Sequence, residues 1–283
     1  MMVSVLLAAA LAFTPEDAAF AHKTASEFVS ECTPRDAGTI RGGIAANWIL
    51  DRASMTGANV RRDVFVAPTP AGERRFVNLY AEYTSNPSSR WVVVVSHYDT
   101  KPGSRCPGAN DGASTSALLI SLANALGEWR TPKGNVMLVW TDGEECQGAH
   151  YTEGDGFQGS QRAVEYLREK DRPVQAVICI DMLGDRDLHI SIPENGTPAL
   201  AKIARYAARR IGYPDLVSLS SDRVKDDHVA FLAAGYKAID LIDFEYGPGN
   251  AWWHTPEDTM DKVSEASLLK SGRLVCELLN ILL

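Results

Sequence analysis

Apolar positions recur along the chain in two rhythms, and their order predicts the architecture. Residues 39–57 place Ile40, Ile44, Ala45, Trp48 and Ile49 at helical spacing and stop at Gly57, which predicts an amphipathic helix. Two strands are expected next, at Val60–Val66 and Phe76–Tyr83, joined by the turn-rich Pro-Thr-Pro-Ala-Gly-Glu. The unbroken apolar run at 91–96 reads as a strand covered on both faces. Beyond it, helices are expected at 113–127, 160–170, 197–211, 227–234 and 264–282, and strands at 135–141, 174–181, 188–192 and 237–243. Strands alternating with helices in this way indicate an α/β chain built on a largely parallel sheet. No repeat or linker interrupts the pattern, so one domain is expected.

The first residues break both rhythms. The stretch 3–13 is apolar and about as long as a signal-peptide core, although no basic residue precedes it. It predicts a leader over residues 1–21, a single catalytic domain over 22–283, and a periplasmic or secreted location, with a short N-terminal helix and a cytoplasmic protein as the alternative. Five cysteines without a Cys-x-x-Cys pair argue against a cysteine zinc site. A net charge of -8 argues against a nucleic-acid surface, which needs clustered Lys and Arg. Past the start, no run reaches the roughly 18 apolar residues of a membrane span.

Polar residues at the expected strand ends change the picture from fold to chemistry. His97 follows one buried strand, Glu144 and Glu145 follow the next, and Asp181 ends a third; ligands of open α/β sheets bind at this carboxyl edge. Asp111 and His254 complete a set of imidazoles and carboxylates suited to zinc, although cobalt or manganese would accept the same donors. Asp99, two residues beyond His97 on an extended segment, is placed to accept the other ring N–H of His97. Glu144 and Glu145 are adjacent, so one can hold metal while its neighbour faces the substrate as general base. Taken singly, each motif has a plainer reading: Asn-Asp-Gly is a common turn, and Asp226 could cap the short helix that follows it. Trp252 and Trp253 could be core aromatics, and His228 reads as structural.

The ordered set His97/Asp99, Asp111, Glu144/Glu145, Asp181 and His254 resembles the zinc exopeptidase family that contains aminopeptidases and glutaminyl cyclases. The likeness runs from about residue 30 to the C-terminus and is closest to bacterial cyclase-like members. It implies a three-layer α/β/α sandwich around a mixed, mostly parallel sheet of about eight strands. It also implies one zinc on Asp111, Glu145 and His254, and a second, if present, on His97, Asp111 and Asp181. Lys225–Phe231 and the Trp253-His254 pair resemble the cyclases, which makes Asp226 an extra catalytic acid and Trp253 a wall of the substrate pocket. Cys146–Tyr151 departs from the animal cyclase pattern.

The resemblance therefore implies an enzyme acting on peptide N-termini. Cyclisation of N-terminal Gln to pyroglutamate, with catalysis by Glu144, Asp226 and Asp181, is the favoured activity. A two-zinc aminopeptidase is the alternative, and an inactive binding protein on the same fold is the third reading. Two finer expectations accompany it: a cis peptide between Asp111 and Gly112, and, in an exported protein, a disulfide between Cys106 and Cys146.

Overall fold

A computed structural model describes residues 10–86, 88–129 and 134–283. The apolar run 91–97 becomes β3, Trp91–His97, and every residue in it is buried. β3 is buried on both faces because it lies between two parallel neighbours, β4 (Asn135–Thr141) and β5 (Val174–Asp181). Each valine enclosed there contributes about 1.5–3 kcal/mol relative to an exposed side chain.

A long antiparallel hairpin of β1 (Asn59–Thr69) and β2 (Gly72–Tyr83) adds to the β4 side. On the other side β8 (Ala238–Ile242) pairs with β5, followed by the short β6 (Ile190–Ile192) and β7 (Val217–Leu219). The sheet of eight strands runs β1-β2-β4-β3-β5-β8-β6-β7 and is mixed, as expected. The hairpin extends closer to its turn than the sequence suggests, leaving only Pro70 and Ala71 between the strands.

Alternation along β3 sorts the two helical layers. Val92 and Val94 face a core formed with α1 (Pro15–Cys32), α2 (Ile40–Ala53), α3 (Thr115–Glu128), α5 (Pro198–Arg210) and α7 (Glu265–Leu282). Val93 and Val95 face the opposite layer, α4 (Gln158–Glu169) and α6 (His228–Ala233). This is the expected α/β/α sandwich.

One local expectation is corrected. Ile40 and Ile44 are exposed; the buried stripe of α2 is carried by Ala45, Ala46, Trp48, Ile49 and Ala53. The boundary expected after residue 21 falls inside α1, where Ala18, Ala21 and Ala25 are buried. This helix starts in a capping box: Thr14 accepts the Asp17 N–H and Asp17 accepts the Thr14 N–H. Packing continues back to Phe13 and Leu11. The Leu11 N–H donates to Asn280 Oδ1 at 2.9 Å, and Asn280 Nδ2 donates to the Leu11 carbonyl at 2.8 Å. Residues 1–9, which hold most of the expected leader core, lie outside the described residues. Among the described residues no helix is long and apolar enough to cross a membrane.

Candidate metal centre

The carboxyl ends of β3, β4 and β5 converge because all three strands run in the same direction. β3 delivers His97, β5 delivers Asp181, and the loop after β4 delivers Glu144 and Glu145. Asp111 comes from the irregular turn Ala109–Ser114 ahead of α3, and His254 from the segment after β8.

Asp111 occupies the middle. Its Oδ1 lies 3.2 Å from His97 Nε2, and its Oδ2 lies 3.3 Å from His254 Nε2. Beyond the two imidazoles, Asp181 Oδ1 stands 3.1 Å from His97 Nε2, and Glu145 Oε1 stands 2.8 Å from His254 Nε2. Two nests result, His97/Asp111/Asp181 and Asp111/Glu145/His254, each with its donor atoms within 4.8 Å of one another. These are the two sets expected from the sequence.

The electrostatics fit a cation. Burial disfavours a charged imidazole, yet the surrounding carboxylates outweigh it, raising His97 well above its ordinary value and His254 to about 10. Burial raises Glu145 to about 7, reinforced by the Asp111 charge. Asp111 is itself held well below the usual range, because the flanking His254 and His97 imidazoles overcome its burial. Asp111 Oδ2 is buried without a hydrogen-bond partner. A cluster of buried carboxylates and imidazoles is a candidate donor set for a divalent ion.

Asp99 is buried, but its role is wider than expected. It lies 3.6 Å from His97 Nδ1, beyond hydrogen-bond length, while its two oxygens accept the backbone N–H groups of Glu144 and Glu145 at 3.2 and 3.1 Å. His254 sits at φ +56, a left-handed conformation that few non-glycine residues adopt.

A cavity of about 510 Å³ opens over the centre, lined by Asp111, Glu144, Glu145, Asp181, Asp226 and His254 on its polar side. Trp253 and Phe244 form its aromatic wall. Trp253 stacks on the His254 ring at 4.0 Å and meets Phe244 edge-on at 4.9 Å. Burial raises Glu144 well above the ordinary carboxylate range, reinforced by the neighbouring Glu145, and burial likewise raises Asp226 to about 7.

Behind Asp226 lie residues that the sequence did not single out. Asp240 is fully buried and neither of its carboxylate oxygens has a hydrogen-bond partner, although it faces Asp226 closely enough to perturb it. Asp227 accepts the Thr141 hydroxyl at 2.6 Å. His228, read from the sequence as structural, is fully buried beside Asp226 and Asp240. The Val224 N–H donates to Asn195 Oδ1 at 3.2 Å and Asn195 Nδ2 donates to the Val224 carbonyl, which fixes the amide. The same Nδ2 lies 2.9 Å from His228 Nε2, so that nitrogen must be the acceptor and Nδ1 carries the proton.

Two expectations fail here. The Asp111–Gly112 bond is trans; the one cis bond among the described residues is Thr33–Pro34. The turn is made instead by Gly112 at φ +89, where an added Cβ would meet the Asp99 carbonyl and the His97 ring at 3.1 Å. Cys106 and Cys146 are free thiols with separate partners. Cys106 faces Asp258, and Lys101 Nζ donates to Cys146 Sγ and to the carbonyls of Cys146 and Gly148.

An α/β/α sandwich carrying a carboxylate–imidazole centre at the carboxyl edge of its sheet defines a metalloenzyme of the exopeptidase type. The chain belongs to peptidase family M28, whose model matches residues 78–279. It is 26% identical over 264 residues to the glutaminyl-peptide cyclotransferase of Drosophila melanogaster, covering 83% of this chain and 73% of that protein. It is 30% identical over 192 residues to aminopeptidase YwaD of Bacillus subtilis (strain 168), covering 65% of this chain and 39% of that protein. Its fold superposes on the crystal structure of an Acidobacteriales bacterium glutaminyl cyclase with a TM-score of 0.89 at 28% identity, covering 100% of this chain and 98% of that one.

Proposed function

We propose that this protein cyclises N-terminal glutamine of peptides to pyroglutamate and releases ammonia. The observation that carries the reading is the placement of Asp226 and Trp253 around the same cavity as Glu144, directly over the Asp111/Glu145/His254 nest. A zinc ion held by Asp111, Glu145 and His254 would polarise the γ-carboxamide carbonyl. Glu144 takes a proton from the peptide's own α-amine as that nitrogen attacks the carbonyl carbon of the γ-carboxamide, then passes it to the amide nitrogen, which departs as ammonia as the C–N bond breaks. Burial, reinforced by Glu145, favours the protonated form of Glu144 more than in an ordinary carboxylate, the form it takes between the two transfers. Asp226 and Asp181 hold the polar atoms of the folded-back side chain, and the Trp253 ring covers it. Resemblance to cyclotransferases and cyclases by name supports the same choice.

One observation favours a second reading, an aminopeptidase: the His97/Asp111/Asp181 nest is also complete. In that reaction Glu144 would activate a water for attack on the first peptide bond, which a second ion nearby would favour. Placement outside the cytoplasm belongs to this proposal and rests on the apolar run 3–13; a cut after Ala21 would sever α1.

The test combines zinc stoichiometry with two peptides. One zinc per chain, ammonia from a Gln-initiated peptide and little release of leucine from a Leu-initiated one are expected. Two zincs with rapid leucine release would replace the cyclase by the aminopeptidase. Removal of metal by a chelator should abolish either activity, and added zinc should restore it.

A further inference from the structure

We propose that Asp258 and Arg35 are positioning residues that grip the two peptide groups of Asp111 and thereby set how tightly the centre holds its metal. The inference rests on the metal reading of the centre but not on which reaction it performs.

Asp111 lies where regular structure gives its backbone no support. Its own torsions, φ -81 and ψ 94, and those of Gly112 are non-helical within the turn Ala109–Ser114. Buried peptide groups in such a turn need other partners.

They find two charged ones. Asp258 is fully buried; its Oδ1 accepts the Asn110 N–H at 2.8 Å, and its Oδ2 accepts the Asp111 N–H at 3.2 Å. The carboxylate is itself fixed by the Tyr246 hydroxyl at 2.6 Å. Arg35 is also fully buried and donates to the Asp111 carbonyl at 3.2 Å and the Gly108 carbonyl at 2.6 Å from one terminal nitrogen. Its other nitrogens donate to the carbonyls of Pro107, at 2.8 Å, and Tyr98, at 2.5 Å. The guanidinium thus spends its donors mainly on backbone carbonyls and, among the described residues, forms no salt bridge with a carboxylate. Gly108 allows this approach, since a Cβ there would stand 2.5 Å from the Arg35 nitrogen.

The two grips are complementary. An acid from the chain's last loop holds the N–H side of Asp111, and a base from the segment between α1 and α2 holds its carbonyl side. Between them the carboxylate is presented edge-on, with one oxygen toward His97 and the other toward His254. A small rotation of either peptide group would carry both oxygens off their imidazoles, so the grip acts on both nests at once.

Two variants test this in the full-length protein. Asp258→Asn keeps the shape but turns one acceptor oxygen into a donor that faces an N–H. Arg35→Lys keeps the charge but loses the fork that spans Gly108 and Asp111. Zinc affinity is measured by competition with a chromophoric chelator, alongside urea unfolding of the metal-free proteins. Asn135→Ser serves as control: it removes a buried side chain that accepts from Ser85 and Asn86 at the opposite end of β4. Both variants should weaken zinc binding by about 10–100-fold, with kcat falling and KM little changed, whereas the control should lose stability and keep its zinc affinity. Zinc affinity unchanged in both variants, or reduced in the control by as much for the same loss of stability, would overturn the proposal. A parent protein that takes up no zinc would instead overturn the metal reading on which it stands.

Discussion

Asp99 Oδ2 accepts the backbone N–H of Glu145 at 3.1 Å. Its Oδ1 accepts that of Glu144 and faces His97 Nδ1 from 3.6 Å, so one buried carboxylate ties down the Glu144–Glu145 loop beside the His97 imidazole. Asp99→Asn keeps the size but replaces one acceptor by a donor. Activity should fall by about 10–100-fold, the usual effect of losing an outer partner of a metal site. Steady-state rates with a Gln-initiated peptide check it, and a variant as active as the parent would show that the tie is dispensable.

Adjacent glutamates should separate by role. Glu144→Gln should retain zinc and lose at least about two orders of magnitude in kcat, as for a missing general base. Glu145→Gln should lose zinc first, because Glu145 stands 2.8 Å from His254 in the nest. Zinc content and turnover measured on the same samples distinguish the two, and equal zinc with equal turnover would refute the assignment.

The extra acid in the cavity wall should matter for cyclisation in particular. Asp226→Ala should abolish ammonia release from a Gln-initiated peptide while leaving zinc bound, since Asp226 lines the cavity without belonging to either nest that contains Asp111. Trp253→Ala should raise KM by removing the ring stacked on His254. Wild-type rates from Asp226→Ala would remove that residue from the reaction.

His228 gives a pH prediction. Burial lowers it to about 4, from about 6.5 in the unfolded chain, so the folded protein binds fewer protons between those values. Its contribution to stability is present above pH 6.5 and is lost as pH falls toward 4. Between pH 7 and 5 the parent should lose about 2 kcal/mol more than His228→Gln does. Urea midpoints of the metal-free proteins at the two pH values measure the difference, and identical losses would mean that His228 does not titrate as its burial requires.

What the sequence makes legible is whatever repeats or ends locally. Trp91–Ser96 announces a doubly covered strand, and a strand end is where a ligand belongs, so His97, Glu144, Glu145 and Asp181 stand out together. Asp111 and His254 are recognisable through their short motifs. Asp240, Asp258 and Arg35 are not, because their partners are distant: Arg35 lies 76 residues from the carbonyl it holds at Asp111. α1 was hidden for another reason. Its alanine-rich buried face follows directly on the apolar start, although the Thr14–Asp17 capping box was there to mark its beginning. β7 is only three residues long and carries no alternation to detect.

The pairing of Leu11 with Asn280 joins positions 269 residues apart. On the ribosome, α1 can pack against α3 early, but its junction with α7 must wait until α7 has been made. Losing the last turn of α7 would therefore be felt at the opposite end of the chain, as fraying of Leu11 and Phe13 from the core.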